Sequence, residues 1–174
     1  MEWLLLLAFA TIITWGIVIY NRLVVDRQRC LAGWSDIEVQ LKRRHDLIPK
    51  LVEAVRQYAA YEQASLEQIT ELRKQASSIS SAGSQGALES NITQSLISIN
   101  ALQEAYPELK ADQNFLQLQE DITAVESDIQ SARRYYNGAV RNLNARIESF
   151  PDLIVARCFR FKPAEYFEYS GSGR

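Results

Sequence analysis

The sequence has few of the residues from which active sites and metal centres are usually built. Its 174 residues include one histidine, His45, and two cysteines, Cys30 and Cys158. No acidic residue stands at a metal-binding spacing from His45, so we interpret it as a surface or interhelical hydrogen-bonding residue. The distant cysteines make neither a metal spacing nor a disulfide framework. We interpret both as apolar packing residues in a reducing compartment, with a single inter-helix disulfide as the alternative.

The motifs of common enzymes are also missing from the sequence. No serine sits in a nucleophile elbow, and no glycine-rich loop follows a strand. Paired acids at Glu120–Asp121 and at Glu126/Asp128 could serve acid–base chemistry, but such residues more often form the solvated face of a helix. We therefore predict no catalytic residue, no metal and no cofactor, and expect that the chain is not an enzyme.

A basic surface of the kind that binds nucleic acid is lacking as well. The net charge is −2, and it is unevenly distributed. Residues 21–50 hold seven Lys/Arg against four acids, or +3; residues beyond 50 hold twelve against sixteen, or −4; Glu2 supplies the last −1. A nucleic-acid partner is disfavoured, because such a partner requires a basic face that replaces phosphate counterions.

What the sequence does contain is one long apolar run, from Trp3 to Tyr20. These eighteen residues carry no charge, and as a helix they span roughly 27 Å, close to the hydrocarbon thickness of a bilayer. The triplet "AFA" at 8–10 resembles a signal-peptide cleavage site, but the apolar run before it is too short and carries no basic residues, which favours an uncleaved transmembrane helix. The residues that we expect to anchor it are Trp3, Trp15, Tyr20 and Arg22.

The charges beside this run predict its orientation. Only Glu2 and the amino terminus precede it, whereas Arg22, Arg27 and Arg29 follow. The positive-inside rule then places the amino terminus outside and the main domain in the cytoplasm. We predict an anchor at residues 1–21, a cytoplasmic helical domain at 22–168 and a flexible tail at 169–174.

The remaining chain has the apolar periodicity of packed helices and no strand pattern, so we predict an all-α fold in which an antiparallel bundle of long helices follows the anchor. Pro49 interrupts the first stripe, and we favour a bent helix over residues 21–78 to two antiparallel helices. A serine- and glycine-rich stretch at 77–90 predicts a linker. Pro107 predicts the end of a helix, and Asp112 is placed to cap a last long helix, which ends at Pro151. The apolar seam includes Trp34, Ile37, Leu41, Ile129, Tyr136 and Leu143.

Two charged residues, Arg44 and Glu62, lie near the phase of this seam. A buried charge without a partner is unfavourable by several kcal/mol. We therefore predict that these two residues make interhelical or intersubunit ion pairs.

Several segments resemble the LemA family. "GWSDIEVQLKRRHDLIPKLVE" and "YAAYE" are similar to its first half, and "YPELKADQNFLQLQ", "ARRYYNGAVRNLNARIESFP" and "FKPAEYFE" to its second, in the right order from Tyr20 to Glu168. Two positions depart: Tyr61 stands where many members have a histidine ("YAxHE"), and the Arg160 region differs from an "FGF"-like tail. The resemblance implies a single-span protein of the bacterial inner membrane with a four-helix bundle and no established enzymatic activity.

Two functional hypotheses follow from this combination of features. The first is a membrane-anchored scaffold that self-associates, because the long apolar stripes exceed what a short middle helix can cover. The alternative is an adaptor or regulator whose stripe binds another membrane protein, such as a protease or a signalling component. The expected partners are the lipid bilayer and further copies of the chain, or that other protein.

Overall fold

The computed structural model describes residues 1–59, 62–78 and 82–167, and within these ranges every regular element is a helix, as predicted. The helices are α1 (Glu2–Arg56), α2 (Gln63–Ala76), α3 (Ala82–Ala105), α4 (Pro107–Ala111), α5 (Gln113–Glu148) and α6 (Asp152–Cys158). The chain divides into two compact units. Unit 1 comprises Met1–Ser35 and Arg134–Glu165, and unit 2 comprises Asp36–Arg133 and Tyr166–Arg174. The tail predicted at 169–174 and the departure at Tyr61 fall outside the described residues.

The helix α1 continues through Pro49. A proline at this position cannot donate a backbone hydrogen bond to the carbonyl of residue 45. The Arg73 guanidinium of α2 takes over that role, since its Nε donates to the His45 carbonyl at 2.8 Å. The favoured continuity across Pro49 is confirmed, and the carbonyl that the proline leaves free is used to hold α2 against α1.

The predicted end of this helix at residue 78 is wrong. It ends at Arg56, and α2 starts at Gln63 and runs back toward His45. Tertiary contacts decide the turn: Ala59 is fully buried, and the Tyr58 hydroxyl donates to Asp112 Oδ2 at 2.9 Å. The periodicity of the sequence did not contain this reversal.

The linker predicted at 77–90 is also wrong over most of its described length. After α2 ends at Ala76, α3 already begins at Ala82, so residues 82–90 are helical; residues 79–81 lie outside the described ranges. Gln85 and Glu89 explain the difference, because both are buried and Gln85 Nε2 donates to Glu89 Oε1 at 3.0 Å. Packing overrides the weak helix propensity of serine and glycine.

The later boundaries agree with the sequence. Pro107 stands at the first turn of α4, two residues after α3 ends at Ala105. The Phe115 amide donates to Asp112 Oδ1 at 2.8 Å, which caps α5 as predicted. The helix α5 includes Asn137–Gly138 without interruption and ends just before Pro151.

The predicted seam residues lie mostly in the cores of the two units. In unit 1, Tyr136 and Leu143 are buried, and Trp34 is half-buried with its ring 5.5 Å from that of Tyr136. In unit 2, the buried seam residues are Ile37, Leu41 and Ile129. Cys30 is buried as expected, but Cys158 is exposed, so the interpretation of both cysteines as packing residues is wrong for Cys158.

Candidate functional site

The apolar start of α1 has the features of a membrane-spanning segment. Among the described helices, α1 alone is long and apolar enough to cross a bilayer, and its apolar window is almost entirely uncovered by the rest of the chain. The Thr11 and Thr14 hydroxyls donate to the carbonyls of Leu7 and Ala10 at 2.8 and 2.9 Å, so their polar groups are satisfied within the helix. A buried core helix would not leave these side chains exposed.

The four predicted anchor residues are all accessible. Trp3, Trp15 and Tyr20 present large exposed ring surfaces, and Arg22 is exposed just after the apolar run. Tryptophan and tyrosine prefer the level of lipid headgroups, and arginine the water beyond it. The exposed surface of this segment is therefore compatible with a lipid environment.

Aromatic residues from the carboxy-terminal part of unit 1 lie beside the end of the apolar run. The Tyr20 ring centroid is 4.7 Å from that of Phe159 and 5.9 Å from that of Phe161. The Arg27 guanidinium lies over the Phe161 ring at 5.4 Å, a cation–π geometry. Sequence reasoning did not identify Tyr20 as the contact of these rings.

Polar contacts hold the same segment to α5. Asn144 makes two hydrogen bonds with the backbone of Ala164: its Nδ2 donates to the carbonyl, and its Oδ1 accepts from the amide, each at 2.9 Å. The Tyr136 hydroxyl donates to the Glu165 carbonyl at 2.8 Å. The extended residues after α6 are therefore fixed along α5.

An ion pair joins α1 to α5 within unit 1. Asp26 is buried, and its Oδ2 lies 2.6 Å from Arg146 Nε; Arg146 Nη1 also lies 3.1 Å from Asp152 Oδ2. The hydrogen bond to Asp26 raises the pKa of Arg146, so the guanidinium stays charged. No sequence pattern pointed to this pair, because its members are far apart in the chain.

Arg44 stands at the centre of a buried polar cluster in unit 2. Its guanidinium pairs with Glu89 of α3 and, at 2.8 Å, with Glu126 of α5, and it donates to Thr93 Oγ1 at 3.0 Å. The side chains of Arg44 and Glu89 are only 1% and 2% exposed. Glu126, which the sequence suggested to be a solvated residue, is instead a partner of this buried cation.

His45 extends the same cluster. Its Nε2 lies 2.9 Å from Glu89 Oε1, and a carboxylate accepts hydrogen bonds, so the Nε2–H tautomer donates here. Burial, together with the charges of Arg44 and Arg73, lowers the pKa of His45 to about 4. The histidine is neutral at pH 7 and completes an interhelical hydrogen bond.

For Glu62, the other residue predicted to form an ion pair, the described contacts include a hydrogen bond, and the ion pair stays a prediction. It directly precedes α2, and its Oε1 accepts a 3.4 Å hydrogen bond from the Tyr106 hydroxyl. Nearby, the Phe115 amide and the Tyr58 hydroxyl lower the pKa of Asp112, and the bond to Asp112 raises the pKa of Tyr58.

An open groove of about 450 Å³ borders the Arg44 cluster. Its wall is mostly apolar and includes Leu96, Ile97 and Ile122. Glu126 and Thr93 also face it, but their polar atoms bond to Arg44 and to each other. Across the described ranges, His, Cys, Asp and Glu side chains form no group of three that could hold a metal ion.

These features define a class: a membrane-associated helical protein with an apolar amino-terminal helix and internally paired buried charges. The family model of the LemA family matches residues 33–174, and the chain belongs to the LemA family. The similarity begins beyond the apolar run, so it rests on the helical region and not on hydrophobic composition.

Individual relatives agree with this assignment. Protein LemA of Metamycoplasma hominis is 30% identical over 79% of this chain, which spans 63% of that protein's length. Magnetosome protein MamQ of Magnetospirillum gryphiswaldense is 23% identical over 96% of this chain and 71% of its own. Magnetosome protein MamQ 2 of Paramagnetospirillum magneticum is 24% identical over 88% of this chain and 66% of its own.

Proposed function

We propose that this chain is a single-span protein of the bacterial inner membrane, with its amino terminus outside and its helical region in the cytoplasm. The observation that carries this proposal is the exposed, charge-free run Trp3–Tyr20, followed by exposed Arg22, Arg27 and Arg29. Basic residues beside a span favour the cytoplasmic side. Relatives that are named magnetosome proteins support a role at a membrane.

Cysteine accessibility in intact cells tests the orientation. A Cys158→Ser background leaves only the buried Cys30, and Glu2→Cys or Ser35→Cys then adds one exposed thiol on either side of the span. We expect a membrane-impermeant maleimide to label position 2 in intact cells and position 35 only after lysis. The reverse pattern would contradict the orientation, and extraction of the chain by alkaline carbonate would contradict the span.

We further propose that the helical region is a non-enzymatic scaffold that associates with copies of itself. Leu31 and Val39 of α1 lie eight residues apart and are 56% and 60% exposed. Exposed aliphatic side chains of this size are most easily covered by another polypeptide.

Native mass spectrometry in mild detergent tests this self-association. We expect oligomers of the natural chain and predominantly monomers of Leu31→Asp/Val39→Asp. The control Glu53→Ser changes an exposed polar position of the same helix and should leave the oligomers intact. A natural chain that is monomeric would overturn the scaffold. Co-purification in fixed ratio with a different membrane protein would favour the adaptor instead.

A further inference from the structure

The juxtamembrane segment, residues 150–162, lies at the membrane end of unit 1. Phe159 and Phe161 contact Tyr20, the last residue of the charge-free run. Tyrosine at the end of a span lies at the level of the lipid headgroups. If α1 spans the bilayer, these contacts hold the juxtamembrane segment at the same depth.

Large apolar side chains of this segment remain uncovered. Phe150 is 80% exposed, Phe159 62% and Ile154 54%. Cys158 is exposed as well and lies four residues after Ile154, hence on the same face of α6. Such a surface at headgroup depth matches the apolar face of a helix that lies in the membrane interface.

The polar residues of this segment are mostly basic. Arg157, Arg160 and Lys162 are exposed. Its acidic residue, Asp152, is already paired with Arg146. The exposed charge is thus positive and complements anionic headgroups, which attract nearby basic residues.

The backbone at Arg160 supplies an independent observation. Its φ is 55°, in the left-handed region that favours glycine, and it follows α6 where the Phe161 amide donates to the Ala156 carbonyl at 2.9 Å. An arginine at this position is held in a less favourable conformation than a glycine would be. A strained residue that also presents an exposed positive charge is a reason to look for a ligand.

We propose that the juxtamembrane segment is a second membrane contact, which binds the surface of an anionic phospholipid bilayer. Phe150, Ile154 and Phe159 enter the interface, and Arg157, Arg160 and Lys162 contact lipid phosphates. This inference rests on the proposed span, which brings the segment to the bilayer. It goes beyond that span, because a single-span anchor by itself requires no lipid contact from the carboxy-terminal part of the chain.

Depth-dependent quenching at Cys158 tests the proposal in the full chain. Burial and Asp26 raise the pKa of the Cys30 thiol, so brief labelling at pH 7 with an environment-sensitive fluorophore selects Cys158, and Cys30→Ala makes the labelling exclusive. The labelled chain is placed in nanodiscs, one copy per disc, made of phosphatidylcholine with or without phosphatidylglycerol. Lipids that carry a nitroxide near the headgroup serve as quenchers.

Ser35→Cys in a Cys30→Ala/Cys158→Ser background is the matched control. Position 35 is exposed and lies fifteen residues after Tyr20, or about 22 Å along α1. We expect strong quenching at Cys158 in discs with phosphatidylglycerol, weaker quenching without it, and little at position 35. Replacing Arg157, Arg160 and Lys162 with glutamine should lower the ratio of bound to unbound segment about fivefold per residue.

The outcomes separate the inference from the proposed span. Cys158 quenched no more than position 35, in a chain that stays in the disc, overturns the lipid contact and leaves the span intact. Equal quenching with and without phosphatidylglycerol overturns the role of the basic residues. A chain that does not enter the disc overturns the span, and with it the premise of the inference.

Discussion

Arg44 and Glu89 form an ion pair in which both side chains are almost completely withdrawn from solvent. Arg44 lies on α1 and Glu89 on α3, and Glu126 of α5 supplies a second carboxylate. The cluster therefore connects three helices of unit 2 through a single guanidinium. Because buried charges are tolerated only when paired, removing one partner and leaving the others should destabilise unit 2.

Removal of the cation should destabilise unit 2 strongly. Arg44→Met leaves Glu89 buried without its guanidinium partner, and breaking a buried pair in this way costs about 3–5 kcal/mol. Chemical denaturation of the full chain in detergent, followed by circular dichroism, measures the loss. The neighbouring Arg43 is the control: it is half-exposed and lies 3.7 Å from Asp128, and Arg43→Met should cost less than about 1 kcal/mol.

His45 should make stability depend on pH. Its pKa is lowered to about 4 from 6.5, so the unfolded chain binds the proton more readily. Above pH 6.5 the ring is neutral in both the folded and the unfolded chain, and the free energy of unfolding is not reduced. As the pH falls from 6.5 toward 4, the unfolded chain is protonated first, and the free energy of unfolding falls by up to about 3 kcal/mol. Burial, Arg44 and Arg73 favour the neutral ring, and Asp46 opposes them. The Glu89 carboxylate, which also faces the ring, is paired with Arg44.

Denaturation between pH 4 and 7 measures this dependence. His45→Gln cannot titrate but can still donate to Glu89, so its stability should vary less over the window. A natural chain and a His45→Gln variant with identical pH slopes would show that other groups account for the acid sensitivity.

Gly33 lies where α1 and α5 approach each other closely in unit 1. A Cβ at this position would lie 3.0 Å from Tyr135 Cδ1 and 3.2 Å from Tyr136 Cα, which belongs to the backbone. Gly33→Ala should therefore force the helices apart and lower stability by about 1–2 kcal/mol. Gly138 of α5 has nothing within 4 Å of a Cβ, so Gly138→Ala should instead stabilise by up to about 1 kcal/mol.

Thermal unfolding of both glycine variants in the same detergent provides the comparison. The opposite signs are the informative result, since helix propensity alone predicts a gain for each. A stabilising Gly33→Ala would mean that α1 and α5 do not pack as closely as described.

Arg160→Gly should separate stability from lipid binding. Glycine relieves the left-handed backbone at φ 55°, which should stabilise the folded chain by about 1 kcal/mol. Arg157→Gly removes another exposed charge, from the last turn of α6, and should destabilise by up to about 1 kcal/mol. Both variants should reduce the lipid quenching at Cys158, although their melting temperatures move in opposite directions; unchanged quenching in both would argue for a purely structural role.

The features that were predicted correctly depend on neighbours within a few residues along the chain. The helix end near Pro107 follows from the absence of an N–H group, and the cap at Asp112 from the reach of a short carboxylate. The long stripe of α5 outweighed the turn signal of Asn137–Gly138. The wrong predictions, of the end of α1 and of a linker at residues 82–90, concern places where contacts with distant residues override local preference.

The candidate sites show the same division. Arg44 could be singled out because a charge in the phase of an apolar seam needs a partner, yet Glu126 was interpreted as solvated. Asp26 and Arg146 carry no local signal at all. The contact between Tyr20 and Phe159 joins residues from opposite ends of the chain, so only the folded arrangement brings them together.

By itself the sequence determined the helical class, the membrane-length apolar run and the family, because composition, periodicity and ordered motifs are properties of the linear chain. Only the tertiary structure decided where α1 reverses, that residues 82–90 are helical, and which carboxylates neutralise Arg44. It also decided that an apolar and basic segment lies beside the end of the apolar run. The physical reason is that burial and charge pairing depend on distances in space, which local propensities do not encode.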